Sequence, residues 1–138
     1  MKTNKMLSRK LQAFTLPELL IVLVIIGILV LLALPRLMPL ISKAKSTEAK
    51  MQLGHLHALQ QGFFYEHSRY SDAPEDIGFE QEKLTTEEGT ANYQITIVQA
   101  DASGFIARAT AVVDFDQDGT FNVWEIDQDK NLVETVKD

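Results

Sequence analysis

The sequence predicts an α+β fold in which one long N-terminal helix packs on a small antiparallel sheet of three or four strands. Three patterns indicate this class: an apolar run near the N-terminus, helix-spaced apolar residues directly after it, and alternating apolar residues in the last third. With 138 residues, the chain holds at most one globular domain beside such a helix. The absence of cysteine excludes a disulfide scaffold, a cysteine-ligated metal site and thiol chemistry.

The N-terminal segment joins a basic leader to a membrane-length apolar run. Residues 1–13 contain no acidic residue and four basic ones, Lys2, Lys5, Arg9 and Lys10. Phe14–Leu34 follows with Glu18 as its one charged residue. Because about 20 helical residues span a hydrocarbon core of ~30 Å, we expect residues 14–40 to form the transmembrane half of the helix. The basic flank places the N-terminus in the cytoplasm. A secretory signal is disfavoured, since the run is too long and no small-residue cleavage site follows it.

Glu18 is anomalous because a carboxylate in an apolar helix is costly. At the centre of a bilayer an acidic side chain costs about 3 kcal/mol, and less toward the interface. In one interpretation Glu18 lies at headgroup depth, where the helix N-terminus favours an anion. In the other, Glu18 pairs with a cation from another molecule, since no Lys or Arg lies within reach on the same helix.

The residues around Glu18 resemble a known processing signal. Residues 13–22 read AFTLPELLIV, which resembles the class III signal of type IV pilins and of the pseudopilins of type II secretion. The resemblance implies that the prepilin peptidase cuts between Ala13 and Phe14 and N-methylates Phe14; family members more often have Gly where Ala13 stands. It also implies that, in a filament, Glu18 of one subunit meets the new Phe14 amine of a neighbour.

Two prolines follow the apolar run. Pro35 and Pro39 each remove a backbone hydrogen bond, so the membrane helix either ends there or bends. Helical spacing resumes in residues Ala49, Leu53, Leu56, Leu59 and Phe63. We therefore predict one long, bent helix from about Leu16 to Glu66. Pro35 is assigned with Phe14 and Glu18 to filament assembly, and the second half of the helix belongs to a head domain of residues 41–138.

The head is predicted to continue with a polar loop and a sheet. The loop, residues 68–91, is anchored by Tyr70, Ile77 and Phe79. Within residues 92–136 alternation predicts strands at Tyr93–Val98, Phe105–Val113, Phe121–Ile126 and Leu132–Val136. We expect Phe121 and Trp124 in the core. The order of helix, loop and sheet resembles the pilin head, most closely that of small cysteine-free type IV pilins.

An aspartate-rich stretch matches the twelve-residue EF-hand loop. Its candidate Ca²⁺ ligands are Asp114, Asp116, Asp118, Thr120, Asn122 and Glu125. Strands rather than helices flank it, so a hairpin turn at Asp118-Gly119, with Asp114 and Asp116 capping backbone amides, is the alternative. Three neighbouring carboxylates repel one another, and either a cation or open solvent must relieve that repulsion.

These features predict a structural filament subunit, a type IV pilin. It is inserted in the bacterial inner membrane with its N-terminus in the cytoplasm, and after assembly it forms a periplasmic or cell-surface filament. Its expected partners are copies of itself, the prepilin peptidase and the inner-membrane assembly platform. The alternatives are a major pseudopilin of type II secretion and a membrane-tethered calcium-binding module that never polymerises.

Two other classes are disfavoured. The chain lacks a nucleophile elbow, a phosphate loop and an HExxH motif, so we expect no enzyme. Its net charge is −6, and removing the four leader cations leaves 9 basic against 19 acidic residues, a charge of −10. Nucleic-acid binding needs a concentrated basic surface, so we expect no nucleic-acid partner for the subunit itself.

Overall fold

The computed structural model describes residues 13–138, which contain one long helix and a four-stranded sheet. The elements are α1 (Leu16–His67), β1 (Tyr93–Ala100), β2 (Phe105–Ala111), β3 (Val123–Asp127) and β4 (Leu132–Val136). The strands form an antiparallel meander in chain order. The α+β, pilin-like class is therefore confirmed, with four strands. The predicted leader lies outside the described residues, except for Ala13.

Contacts divide the chain into two units between Pro35 and Arg36, slightly before the predicted boundary at residue 40. α1 continues through Pro35 and Pro39, so the interpretation in which the helix ends at the prolines is wrong. Each proline removes one backbone hydrogen bond from the helix. The predicted bend stays a prediction.

In the second unit, α1 buries one face against the sheet. Its buried residues are spaced by three and four, as one face of a helix requires: Ser42, Ser46, Ala49, Leu53, Leu56 and Gln60. Opposite them, β2 contributes Ala107, Ala109 and Ala111, each at most 3% exposed. These small side chains line the middle of the sheet on the face that packs against the helix. Tyr93, Ile95, Phe105 and Ile126 complete the core.

The loop before β1 is anchored as predicted and also covers a sheet edge. Tyr70, Ile77 and Phe79 are buried. The Gln81 side chain imitates a neighbouring strand: its Nε2 donates to the Tyr93 carbonyl at 3.1 Å, and its Oε1 accepts from the Ile95 amide at 2.8 Å. The first part of the free edge of β1 is thereby hydrogen-bonded without another strand.

The sheet differs from the prediction around the aspartate-rich loop. β2 ends at Ala111 rather than Val113, and β3 begins at Val123 rather than Phe121. Val113 and Phe121 are 38% and 45% exposed, so placing Phe121 in the core was wrong, whereas Trp124 packs against the core as expected. The intervening aspartates bond to amides within the loop, and this local bonding replaces the strand ladder.

Candidate functional site

The first turn of α1 holds Glu18 through the carboxylate half of a capping box. Thr15 precedes the helix, and Glu18 Oε2 accepts hydrogen bonds from the Thr15 amide at 2.7 Å and from its hydroxyl at 2.8 Å. This arrangement satisfies an amide at the helix start that has no intrahelical partner. This contact was not predicted, although Thr-x-x-Glu is the sequence signature of a capping box. Glu18 Oε1 accepts no hydrogen bond from the described residues and remains available to a cation from another molecule.

The apolar part of α1 is exposed on every side. From Leu19 to Leu34 the large apolar side chains are 46–71% exposed. Among the residues that the structure describes, α1 is long and apolar enough to cross a membrane. A helix that is apolar all round is stable only when lipid or other apolar helices surround it. This half of α1 therefore needs a bilayer or copies of itself.

Four aspartates converge at the aspartate-rich loop. Asp114, Asp116, Asp118 and Asp138 each offer a carboxylate oxygen, and these oxygens lie within 4.8 Å of one another. The same carboxylates cap loop amides, as predicted for Asp114 and Asp116 in the alternative to a calcium site: Asp114 accepts from Gln117 and Gly119 at 2.6 and 2.7 Å. The predicted hairpin turn at Asp118-Gly119 does not form, because β2 ends at Ala111 and β3 begins at Val123. Gly119 has φ +91°, a conformation that glycine adopts without strain. The loop is thus a capped turn that gathers four carboxylates.

The other predicted ligands occupy different positions. Asn122 is buried, and its side-chain oxygen accepts a hydrogen bond from the Tyr93 hydroxyl at 2.7 Å. Its side chain is therefore engaged in hydrogen bonding within the core. Glu125 pairs with Arg108 at 2.6 Å on the face of the sheet opposite α1. Strand alternation carries it there, because its neighbours in β3 face the core. Placing Asn122 and Glu125 in the ligand set was therefore wrong, while Thr120 follows the cluster and donates its amide to Asp118 at 2.7 Å.

Asp138 is the member of the cluster that the sequence did not identify. It lies 20 residues beyond Asp118, and β4 returns it to the loop, where its Oδ2 accepts from the Phe115 amide at 3.0 Å. Its Oδ1 is buried and has no hydrogen-bond partner among the described residues. No local spacing signals this contact, since it depends on the pairing of β3 with β4.

The surroundings of Asp116 disfavour its charged form. Desolvation raises the pKa of Asp116, and the charges of Asp118 and Asp138 raise it further, against a hydrogen bond from the Asp118 amide that lowers it. A cation would relieve this repulsion, and carboxylate oxygens are the ligands that Ca²⁺ prefers.

An exposed apolar half-helix that begins with a carboxylate, followed by an amphipathic half under a four-stranded meander, defines a pilin-like subunit. Residues 35–121 match a family described as type IV minor pilin ComP, DNA uptake sequence receptor. Residues 8–34 match the prokaryotic N-terminal methylation motif. The chain belongs to the type IV pilin family.

A curated relative agrees with this assignment. The type IV major pilin protein PilA of Myxococcus xanthus (strain DK1622) is 44% identical over 72 residues, which are 52% of this chain. The aligned region spans 33% of that relative's length. The methylation motif includes Ala13, Phe14 and Glu18, so the processing signal recognised in the sequence falls within the matched region.

Proposed function

We propose that the chain is the structural subunit of a type IV pilus or pilus-like filament. One observation carries the proposal: an apolar helix exposed on every side starts with a single carboxylate, within residues that match the N-terminal methylation motif. A simple membrane tether needs neither the carboxylate nor the cleavage. We expect the subunit to serve assembly and to catalyse no reaction.

Before assembly, the subunit would reside in the inner membrane with its N-terminus in the cytoplasm. The leader cations favour that orientation. Prepilin peptidase would then cut between Ala13 and Phe14, and the inner-membrane assembly platform would transfer the apolar helix from lipid into a bundle of identical helices. The transfer keeps the apolar side chains away from water, so it loses little of the ~2 kcal/mol that burial contributes per large side chain.

The direct test is to shear surface material from cells that express the chain. We expect fibres in electron micrographs, and mass spectrometry should find a subunit that lacks residues 1–13 and begins with methylated Phe14. Short periplasmic fibres would favour the pseudopilin alternative. A full-length chain that stays dispersed in the membrane would contradict the proposal.

Processing depends on a small residue at position 13. Ala13→Phe should reduce cleavage at least tenfold, because the bulky ring obstructs a peptidase pocket shaped for Gly or Ala. Immunoblots that separate precursor from mature subunit measure the effect. Ala13→Gly is the matched control and should be processed at least as fast as wild type. Equal cleavage of the Phe variant would place the cut elsewhere.

We propose in addition that the four-aspartate cluster binds Ca²⁺. Asp114, Asp116, Asp118 and Asp138 would supply the carboxylates, and the Thr120 carbonyl and water would complete the six to eight oxygens that Ca²⁺ takes. The neighbouring charges and the unpartnered Asp138 oxygen support this assignment. Affinity should fall in the range of extracellular modules, about 0.1–1 mM.

Calorimetric titration of the full chain in detergent micelles tests the calcium site. Asp116→Asn with Asp118→Asn should abolish binding, whereas Asp129→Asn, which removes an acidic side chain outside the cluster, should leave it unchanged. If the wild-type chain does not bind Ca²⁺ at millimolar concentration, the calcium proposal is contradicted. The aspartates would then serve only to cap the amides of the loop.

A second candidate is a subunit of a DNA-uptake filament, supported by the match of residues 35–121 to a family described as a DNA uptake sequence receptor. The acidic net charge opposes direct DNA binding, because binding requires basic groups that neutralise phosphates. Gel-shift titration of sheared filaments with duplex DNA distinguishes the two candidates. Retention that weakens steeply with salt supports DNA binding, and no retention at 50 mM salt opposes it.

A further inference from the structure

A groove opens in the head beside the point where the apolar part of α1 ends. Its volume is about 420 Å³, within the range of about 300–1,000 Å³ that small-molecule sites have. Pro39 and Leu40 line it, and they are the last residues of the predicted transmembrane segment 14–40. The residues of the groove all belong to the unit Arg36–Asp138. In a membrane-inserted chain, lipid headgroups therefore lie next to this groove.

The helical wall of the groove begins at headgroup depth. A bilayer of about 40–45 Å with a hydrocarbon core of about 30 Å has a headgroup region of about 5–7 Å on each side. Lys43 follows Leu40 by three residues, a helix rise of about 4.5 Å, so it falls within that region. Lys50 follows two turns later, and long helical side chains lean toward the N-terminus of the helix, which is the direction of the membrane here.

The groove presents both signs of charge. Its charged lining residues are three lysines and two acids: Lys43, Lys50, Lys137, Glu134 and Asp138. Among the described residues, none of these lysines lies within 4.0 Å of a carboxylate oxygen. Glu134 Oε1 accepts from the Asn122 side chain at 2.8 Å, and Glu134 Oε2 accepts no hydrogen bond from the described chain. The ligand that matches such a groove carries a negative and a positive group.

Trp124 adds a donor that the protein does not satisfy. Its Nε1 is buried and donates no hydrogen bond within the described part of the chain, whereas buried polar groups in native proteins are nearly always bonded to protein or water. Trp124 lines the groove, and Lys50 Nζ lies 4.3 Å from its ring centroid, so this flexible side chain covers the ring. Movement of Lys50 toward a ligand would uncover the indole and let Nε1 donate to that ligand. Tryptophan is also enriched at headgroup depth in membrane proteins.

We propose that the groove binds the phosphoethanolamine headgroup of a membrane phospholipid. The phosphate would accept from Lys43, Lys50 and the Trp124 indole, because phosphate oxygens are strong acceptors for ammonium and N–H groups. The lipid's ammonium would donate to Glu134 Oε2. The acyl chains would lie along the apolar side chains of α1 before Leu40. The inference rests on the proposed function only in requiring that the chain is inserted in a membrane.

Two other phospholipids fit the groove less well for separate reasons. Phosphatidylglycerol carries the same phosphate without an ammonium group, so Glu134 and Asp138 would repel it. Phosphatidylcholine is zwitterionic, but its trimethylated nitrogen has no N–H to donate to a carboxylate. Comparing the three lipids therefore separates recognition of the phosphate, of the positive charge and of the ammonium hydrogen bond.

Native mass spectrometry of the wild-type full chain tests the proposal. The chain is released from nanodiscs that contain equal amounts of the three phospholipids with identical acyl chains. We expect phosphatidylethanolamine to be retained at least tenfold over each of the others. Equal retention of all three, or preferential retention of phosphatidylglycerol, would overturn the proposal. Soluble phosphoethanolamine at millimolar concentration should displace little of the retained lipid, and complete displacement would instead identify a site for a free small molecule.

Substitutions at the groove test the assigned contacts. Lys43→Gln with Lys50→Gln should lower retention of phosphatidylethanolamine at least tenfold. Lys45→Gln with Lys83→Gln is the matched control, because it removes the same charge from exposed residues outside the groove and should leave retention unchanged. Retention by the groove variant that equals retention by this control would contradict the phosphate contacts. Thermal melting in detergent verifies that each variant folds.

Glu134→Gln tests recognition of the lipid's ammonium group. Glutamine keeps an acceptor for the Asn122 side chain but removes the negative charge, so the ratio of retained phosphatidylethanolamine to phosphatidylglycerol should fall at least tenfold. An unchanged ratio would overturn the assignment of the headgroup. A chain that retains phosphatidylethanolamine but forms no filaments would contradict only the proposed function. Filaments from a chain without any lipid preference would contradict only the present inference.

Discussion

Glu18→Ala is expected to leave the subunit in the membrane and processed, while filament yield falls at least a hundredfold. In the proposed filament core the Phe14 ammonium would lose water, and without the Glu18 carboxylate of a neighbour it would stay unpaired. Leaving one member of a buried ion pair alone costs about 3–5 kcal/mol, which is comparable with the stability of many folded domains. Because Glu18 Oε1 is not bonded within the described chain, the pairing needs no rearrangement of the capping box. Immunoblots of membranes and of sheared fibres measure both parts of the expectation.

Two controls separate pairing from capping. Thr15→Ala removes the hydroxyl of the box but keeps the carboxylate, so it should cost about 1 kcal/mol of helix stability and retain filaments. Glu18→Gln keeps a hydrogen-bond acceptor without the charge and should fail like the alanine variant. If Glu18→Gln assembles normally, the charge is not the determinant. If Thr15→Ala lowers filament yield as severely as Glu18→Ala does, the capping box is the determinant of assembly.

Asn122→Ala is expected to lower the free energy of unfolding of the head by about 3 kcal/mol. The buried amide accepts from the Tyr93 hydroxyl at 2.7 Å and donates to Glu134 at 2.8 Å and to the Val136 carbonyl at 3.0 Å. Truncation leaves the buried Tyr93 hydroxyl without its partner, and an unsatisfied buried group costs about 1–3 kcal/mol. Thermal unfolding of the full chain in detergent, followed by near-ultraviolet circular dichroism of the aromatic core, measures the loss.

A double-mutant cycle with Tyr93→Phe verifies the mechanism. The coupling free energy between the two substitutions should be about 1 kcal/mol or more, because the residues share one hydrogen bond. The loss at Asn122 should be the same with and without Ca²⁺, since this side chain lies in the core. If the substitution destabilises the head only in the presence of Ca²⁺, Asn122 would be a Ca²⁺ ligand after all.

Local periodicity predicted most of the fold. The spacing of Ala49, Leu53 and Leu56 marked the buried face of α1, and alternation located all four strands to within two residues at most ends. The errors cluster in the loop between β2 and β3. There, apolar residues such as Val113 and Phe121 continue the strand pattern, but side-chain bonds from the aspartates to loop amides end the pairing.

The candidate sites were predicted where their members are close in sequence. Ala13, Phe14 and Glu18 form one short signal, and Asp114, Asp116 and Asp118 are spaced as a local turn requires. Asp138 was missed because β4 returns it across 20 residues. Glu125 was misassigned because a loop template carries no information on which face of a strand a residue occupies.

The amino-acid pattern alone indicated that the apolar part of the long helix, residues 14–40, needs a bilayer or a helix bundle and that residues 41–138 form a head. This follows because hydrophobic burial depends on composition and periodicity, which are local properties. The packing of the helix and sheet was needed to show which polar groups meet, namely the four aspartates of the loop and the partners of the Asn122 amide. Electrostatic and hydrogen-bond energies depend on distances between residues far apart in the chain, and the packing of the helix on the sheet sets those distances.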